Sequence, residues 1–237
     1  VDLYPCVNPL AAEQGLKHWP FFDVDLNRMF PGKSNGHPPD LVANALVKDV
    51  QNSEYVIELR GARPGFEECA QAIVTSQAAS DMALHFNVKV VWQRNPGPSA
   101  PKTFAYQFAN SIVLEGGAGN LLTDSVGDNI HNGILNFLSH IHVLPEDKLP
   151  FSWVTIERPE VVDDEKVHRI RASGSGLFLP VVNMESKVSE GDLIGRIIDP
   201  STGLLRQEIK SPVSGWVMAI RNQPVVSVGI MVARIVS

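Results

Sequence analysis

An α/β sheet flanked by helices, followed by a smaller all-β domain, is the architecture this 237-residue sequence predicts. Three observations carry it. Up to about residue 145, short apolar runs alternate with stretches of helical period, the pattern of strands covered by helices. From Pro145 onward, short β-type runs are punctuated by Gly and Pro with no helical periodicity. That second stretch also repeats itself. With 44% apolar residues, the chain can bury one full core and a smaller second one.

The elements follow in order. Val1-Asp-Leu-Tyr-Pro-Cys-Val7 reads as a strand, which the chain enters without a Met. Pro39 to Val50 sets Leu41, Ala45, Leu46 and Val50 on one face at near-helical spacing, predicting an amphipathic helix. Tyr55-Val-Ile-Glu-Leu59, Val88-Lys-Val-Val-Trp92 and Ser111-Ile-Val-Leu-Glu115 read as buried strands, and Pro96-Gly-Pro-Ser-Ala-Pro101 as a loop. Asp128 to Leu144 repeats the helical spacing with Ile130, Ile134, Phe137, Leu138 and Ile141. A boundary is expected between 145 and 155. Residues 1–148 then form the α/β domain, read as truncated at its N-terminus, and residues 149–237 the β-domain.

Composition excludes several classes of function. Twenty Lys plus Arg against 26 Asp plus Glu give a formal charge of −6, with no dense basic cluster, so neither nucleic acid nor a membrane surface is an expected partner. No apolar run reaches the roughly 18–20 residues a bilayer span needs, and no signal-peptide layout opens the chain; a cytoplasmic protein is expected. Only Cys6 and Cys69 occur, too few for a disulfide framework or a Cys-rich zinc site. Any metal ligands must therefore be His and carboxylate.

The repeat is specific. Ala172-Ser-Gly-Ser-Gly-Leu-Phe178 is echoed 39 positions on by Ser211-Pro-Val-Ser-Gly-Trp-Val217, and Gly191-Asp-Leu-Ile-Gly-Arg-Ile197 is echoed 38 positions on by Gly229-Ile-Met-Val-Ala-Arg-Ile235. Two such copies resemble the barrel-sandwich fold of biotinyl and lipoyl carrier domains, with Gly in the tight turns. A carrier function does not follow, because Ser201 stands where a lipoyl domain has its modified Lys.

The sharpest local signal is Asp23-Val-Asp-Leu-Asn-Arg-Met-Phe-Pro-Gly32. Asn27 beside Arg28 offers a neutral amide and a guanidinium fork, a pairing suited to gripping a carboxylate. The same spacing also suits Arg28 pairing with Asp23 or Asp25 while Asn27 caps a turn. Glu115 ends a strand next to two glycines, where a carboxylate can reach a crevice; taken alone it reads equally as a solvated strand-end group. His140 and His142 stand two apart and make a poor chelating pair on a helix. His18 and His37 read as surface histidines, and Glu67, Glu68 and Cys69 form a compact acidic group.

The order of motifs resembles the succinylglutamate desuccinylase/aspartoacylase family, zinc hydrolases related to zinc carboxypeptidases. Matches run from Val1–Leu10 and Trp19–Gly32 through Tyr55–Leu59, Glu68 and Gln71, Val113-Leu-Glu-Gly-Gly117 and Asn132-Gly-Ile-Leu-Asn136 to the repeated β-domain with Ser211-Pro-Val-Ser-Gly215. The resemblance implies a zinc-carboxypeptidase-like mixed sheet, a zinc cofactor and hydrolysis of an amide bond in a small N-acyl amino acid or related carboxylate-bearing compound. It also implies that Asn27 and Arg28 hold the substrate carboxylate and that Glu115 is the general base towards water.

Two departures qualify those implications. The family's HGxE metal motif is absent from the 237 residues, and its D-[LI]-H motif reads Glu58-Leu59-Arg60. A guanidinium has no lone pair to give a metal and would repel one. The competing expectation is therefore a catalytically silent pseudo-enzyme that keeps an anion pocket, with Arg60, Arg28 and Arg63 on the ligand, acting as a binding or assembly subunit. A sheet lacking the family's N-terminal strands is expected to be covered by a second copy of the chain or by a partner chain.

Overall fold

The computed structural model describes residues 1–119, 124–149 and 158–237. Two compact units result, one of Val1–Glu58 with Pro96–Ile112, the other of Leu59–Asn95 with Val113–Ser237.

The first unit is built around two helices. Helix α1 (Pro9–Glu13) starts at Asn8, whose side chain accepts from the Ala11 N–H. Helix α2 (Pro38–Val50) opens on two prolines, residues that fit the first helical turn because their missing N–H has no partner there. Its inner face, Ala43, Leu46 and Val50, packs with Trp19, Leu26, Phe30, Val56 and Phe104 into one apolar core. The expected strand over Val1–Val7 does not form. Val1, Leu3 and Tyr4 are exposed, so the alternation that suggested a strand has no sheet beside it to bury either face.

The second unit is dominated by a mixed sheet. Its strands are β1 (Val56–Gly61, shared with the first unit), β2 (Phe66–Val74), β3 (Val90–Gln93), β4 (Ser111–Ala118, also shared), β5 (Glu160–Asp163), β6 (Val167–Arg171), β7 (Gly176–Pro180), β8 (Lys187–Val188), β9 (Leu193–Ile198), β10 (Leu205–Lys210), β11 (Gly215–Arg221), β12 (Val225–Val226) and β13 (Met231–Val236). Among the described residues, nine of them form one sheet in the order β1-β4-β2-β11-β13-β6, with β3 and β8 joining at β2 and β11 and β5 following β3. Strands β2, β3 and β5 run parallel; β4 and β11 each pair antiparallel with β2, β13 with β11, and β6 with β13. The other four strands form a second sheet, β10-β9-β7-β12.

Strand β2 is the pivot. Along one side it pairs with β4; along the other, its first residues, Phe66–Glu68, pair with β11 and its last, Gln71–Val74, with β3. Helix α3 (Gln77–Ala83), capped by the Ser76 hydroxyl, follows β2. Helix α4 (Asp124–His140) buries Phe137 against Phe86, with ring centroids 4.7 Å apart. It ends four residues earlier than the periodicity suggested, with His142 in the left-handed region (φ 58°). The expected boundary stretch, 145–155, lies partly within 150–157, outside the described residues.

The sequence repeat has a structural counterpart. Strand β7 pairs antiparallel with β9, Phe178 opposite Ile197, while β11 pairs antiparallel with β13, Val217 opposite Ile235. These are equivalent positions of the two copies. Gly191 and Gly229, the equivalent turn residues, both have positive φ (89° and 81°), where a Cβ is disfavoured. The β7–β9 pair lies in the four-stranded sheet and the β11–β13 pair in the larger one, while β8 of the first copy joins β11 and β12 of the second joins β7. Between them Ile170, Phe178, Ile194, Ile197, Ile209, Val217, Val232 and Ile235 form a shared apolar core.

Candidate functional site

Asn27 and Arg28 lie in the first unit, in a short 3₁₀ turn (Leu26–Arg28) that Asp25 caps by accepting from the Asn27 N–H at 3.0 Å. The Asn27 amide is occupied at both ends: it donates to Glu58 Oε1 at 2.9 Å and accepts from the Phe104 N–H at 2.7 Å. Asn27 therefore ties this turn to β1 and to the loop at Phe104. Arg28 is exposed and donates to the Asn27 carbonyl at 2.6 Å, while Asp25 pairs with Lys17 at 2.8 Å. His18 is bonded to Asp23 and His37 lies beside Phe22, both near the surface.

Glu115 lies in the second unit, on β4, and is only 8% exposed. The glycines after it allow a close approach: a Cβ on Gly116 would come within 3.0 Å of Ala70 Cα on β2. Glu115 stands opposite Gln71, and a register shift in β2 falls between Glu68 and Gln71. Three apart in a regular strand, those two side chains would point to opposite faces. The irregularity turns them the same way, so that Gln71 Nε2 donates to Glu68 Oε2 at 3.1 Å, fully buried. Glu67, Glu68 and Cys69 do not act as one acidic group, since Glu67 points to solvent while Glu68 and Cys69 are buried.

A cross-strand row completes the cluster. Glu68 on β2 faces Ala219 on β11, which faces Arg234 on β13, which faces Arg169 on β6. In-register neighbours share a face, and two strand spacings of about 4.8 Å separate the backbones of Glu68 and Arg234. The small Ala219 leaves a path over which the guanidinium of Arg234 reaches Glu68 Oε1 at 2.7 Å, both side chains fully buried. Arg63 Nε stands 3.6 Å from the same oxygen. The indole of Trp92 on β3 fills the neighbouring space, with the guanidinium carbons of Arg94, Arg169 and Arg234 at 5.1, 5.6 and 5.4 Å from its ring.

The electrostatic consequence falls on Glu115. Burial, then the charge of Glu68 and a hydrogen bond with it, push its carboxyl up to about 7, against the pull of Arg60 and Arg234. Glu115 thus changes protonation near neutrality, the property a general acid or base requires.

Zinc, implied by the resemblance, does not fit these residues. Arg60, the residue that the sequence motif sets against the third-ligand position, is a guanidinium on β1 with no lone pair to offer, and Glu68 is already bonded to Arg234 and Gln71. Among the described residues, no three His, Cys, Asp or Glu side chains are placed to hold a metal ion. His85 and His140 stack at 3.4 Å beside His142 and Glu146 in an open cavity of about 430 Å³, but face-to-face rings do not aim lone pairs at a common point. No helix among the described residues is long and apolar enough to cross a membrane.

Sequence reasoning missed Arg234 and the part played by Glu68 and Gln71. One signal was present: Arg234 interrupts the apolar run Met231–Val236. Its repeat equivalent, Arg196, is exposed and stands 3.9 Å from Glu208, so the same position carries a surface ion pair in one copy and a buried one in the other.

Glu115 lies within β4, three residues before its end, rather than ending the strand, and the mixed sheet that carries it has counterparts among solved structures. The chain is similar to the succinylglutamate desuccinylase/aspartoacylase of Rhodobacter sphaeroides (TM-score 0.83, 18% identity, 98% of this chain and 73% of that one). It is similar to the product-bound ectoine utilization protein EutE (DoeB) of Ruegeria pomeroyi (TM-score 0.81, 18% identity, 98% and 73%). A succinylglutamate desuccinylase from Silicibacter sp. TM1040 gives a TM-score of 0.80 at 18% identity over 98% and 74%. The fold is that of the succinylglutamate desuccinylase/aspartoacylase proteins, as the order of sequence motifs had suggested. No family sequence model and no curated protein sequence matches the chain.

Proposed function

We propose that the protein is of the deacylase type, acting on the amide bond of a small N-acyl amino acid or related carboxylate-bearing compound, with Glu115 as the proton-handling group. The observation that carries this reading is Glu115 itself, buried within β4 beside Gly116 and Gly117, with a carboxyl pushed up to about 7. Ionised, it accepts a proton from water as the water oxygen bonds to the acyl carbon. It then returns that proton to the amine nitrogen as the C–N bond breaks, leaving a carboxylate and an amine. The positive charge of Arg60, felt at Glu115, also favours negative charge developing on a nearby acyl oxygen. The described residues do not form a zinc site.

A second reading is favoured by Arg60. A guanidinium in place of a neutral imidazole suits a catalytically silent protein that binds the carboxylate compound without cleaving it.

The test is incubation of the full chain with N-acetyl and N-succinyl derivatives of acidic and basic amino acids, following amine release, with calorimetry on the same compounds. Release that falls by about 100-fold or more in Glu115→Gln supports the first reading. Binding without release supports the second. Release that survives Glu115→Gln removes Glu115 from the reaction, and neither binding nor release refutes both readings.

A further inference from the structure

We infer that Arg94 and Arg169, held against the indole of Trp92 at the carboxyl ends of β3 and β5, bind an oxyanion of the phosphate type, as the free ion or as a phosphomonoester. The inference goes beyond the amide reaction and does not rest on the role of Glu115.

The fold delivers these residues from separate strands. Strands β3 and β5 run parallel, Gln93 opposite Asp163, so Arg94 and Asp164 are the first residues beyond the two carboxyl ends. The crevice beyond the carboxyl ends of parallel strands is where an α/β sheet leaves room for a ligand. Arg169 arrives on β6, in register with Arg234 on β13. The guanidinium carbons of Arg94, Arg234 and Arg169 stand 5.1, 5.4 and 5.6 Å from the centre of the fully buried Trp92 ring. Three like charges are thus gathered on one aromatic ring, whose faces attract cations.

The neighbouring carboxylates do not use up their donors. Asp164 accepts from Trp92 Nε1 on one oxygen at 3.1 Å and from the Asn95 N–H on the other at 2.9 Å. Arg169 stands 3.9 Å from Asp164, beyond hydrogen-bond range. Glu68 is engaged by Arg234. The Arg94 guanidinium has neither an ion pair nor a hydrogen bond among the described residues. Burial, then the charge of Arg169, lowers it from its ordinary value, as befits a cation crowded by another. Arg234 adds two buried nitrogens, Nε and Nη1, with no partner among the described residues. In a chain whose formal charge is −6, a cluster of arginines with donors to spare is a place for an anion.

The donor count favours phosphate over a carboxylate. Two guanidinium forks from different elements present more N–H groups than the two oxygens of one carboxylate use. A phosphate offers three or more oxygens and carries close to two negative charges near neutrality. Arg94 and Arg169 both reach solvent and can meet it, while Arg234, fully buried, adds a fixed positive charge behind them.

Calorimetry of the full chain at about 0.15 M salt, with inorganic phosphate and glycerol phosphate as probes, tests the site. At least one probe should bind with a Kd below about 10 mM. Arg94→Gln and Arg169→Gln should each weaken that binding by about 10-fold or more, while Arg196→Gln, an exposed arginine of the other sheet, should leave it unchanged. Tighter binding of glycerol phosphate identifies an ester as the ligand; tighter binding of phosphate identifies the free ion. Where a Gln variant fails to fold, Arg94→Lys or Arg169→Lys, which keeps the charge and loses the fork, takes its place and should also weaken binding. Absence of binding by either probe to the unaltered chain overturns the inference without recourse to any variant. So does binding that survives both substitutions, and so does binding of succinate where neither phosphate probe binds, which would make the cluster a carboxylate site.

Discussion

Replacing Arg234 by Met should destabilise the protein at pH 8. The side chain is fully buried and gives Glu68 its shortest hydrogen bond, 2.7 Å. Removing one partner of a buried ion pair costs about 3–5 kcal/mol, because the other charge is left without compensation. Two features lower that figure. Arg63, 3.6 Å from the same Glu68 oxygen, keeps part of the favourable field, although its side chain is 43% exposed. Arg234 also carries two buried nitrogens, Nε and Nη1, with no partner among the described residues, and deleting an unsatisfied buried donor returns about 1 kcal/mol. The net expectation is a loss of about 2–3 kcal/mol at pH 8. Urea denaturation, followed by circular dichroism and tryptophan fluorescence, measures it. The double variant Glu68→Leu with Arg234→Met removes both charges and should recover most of the loss, giving a coupling energy by a double-mutant cycle. A single-variant loss below about 1 kcal/mol, or a double variant whose cost equals the sum of the singles, would refute the view that these charges depend on each other.

Two further outcomes follow from burial. Glu115 titrates at about 7 when folded against an ordinary value of 4.5, so between those values the native state holds a proton that the unfolded chain releases. Stability should therefore decline as pH rises through that window, by at most about 1.4 kcal/mol per pH unit. Melting temperatures from pH 5 to 8 should show a shallower decline in Glu115→Gln, and an unchanged slope would contradict the assignment. Burial, followed by the charge of Glu185, pushes the Cys69 thiol up to about 12, whereas Cys6 is exposed. Iodoacetamide at pH 8 should add one group to the native chain and two in urea, counted by mass spectrometry; rapid double labelling of the native protein would show that Cys69 is accessible.

How much of this was legible in the sequence depended on whether the pattern was local. Helix α2 and strands β1, β3 and β4 were readable because their apolar spacing is carried by neighbours in the chain. So was the repeat, whose matched positions recur as matched cross-strand pairs. Strand β2 was not read, although it lies beside both β4 and β11: buried Glu68 and Gln71 break its apolar run, and the register shift between them breaks its alternation. The Val1–Val7 stretch failed the other way, since a strand-like pattern is not a strand without a neighbour to pair with. Glu115 stood out beside its glycines, and Asn27 beside Arg28. What Asn27 holds was not legible, because Glu58 and Phe104 approach it only through the fold. Nor was the Arg234–Glu68 pair, whose members are 166 residues apart.

The arrangement around β2 also bears on how the molecule comes apart. One strand supplies the backbone partners of β4 on one side and of both β3 and β11 on the other, so the α/β part and the C-terminal repeat share a single hydrogen-bonded lattice. Peeling off β11 strands the amides of Phe66–Glu68 as well as its own. The second unit should thus behave as one cooperative block, with the amides of β2 exchanging with solvent only when the whole block opens. A C-terminal segment that looks detachable by its repeat and its separate core is, through those three residues, a keystone rather than an appendage.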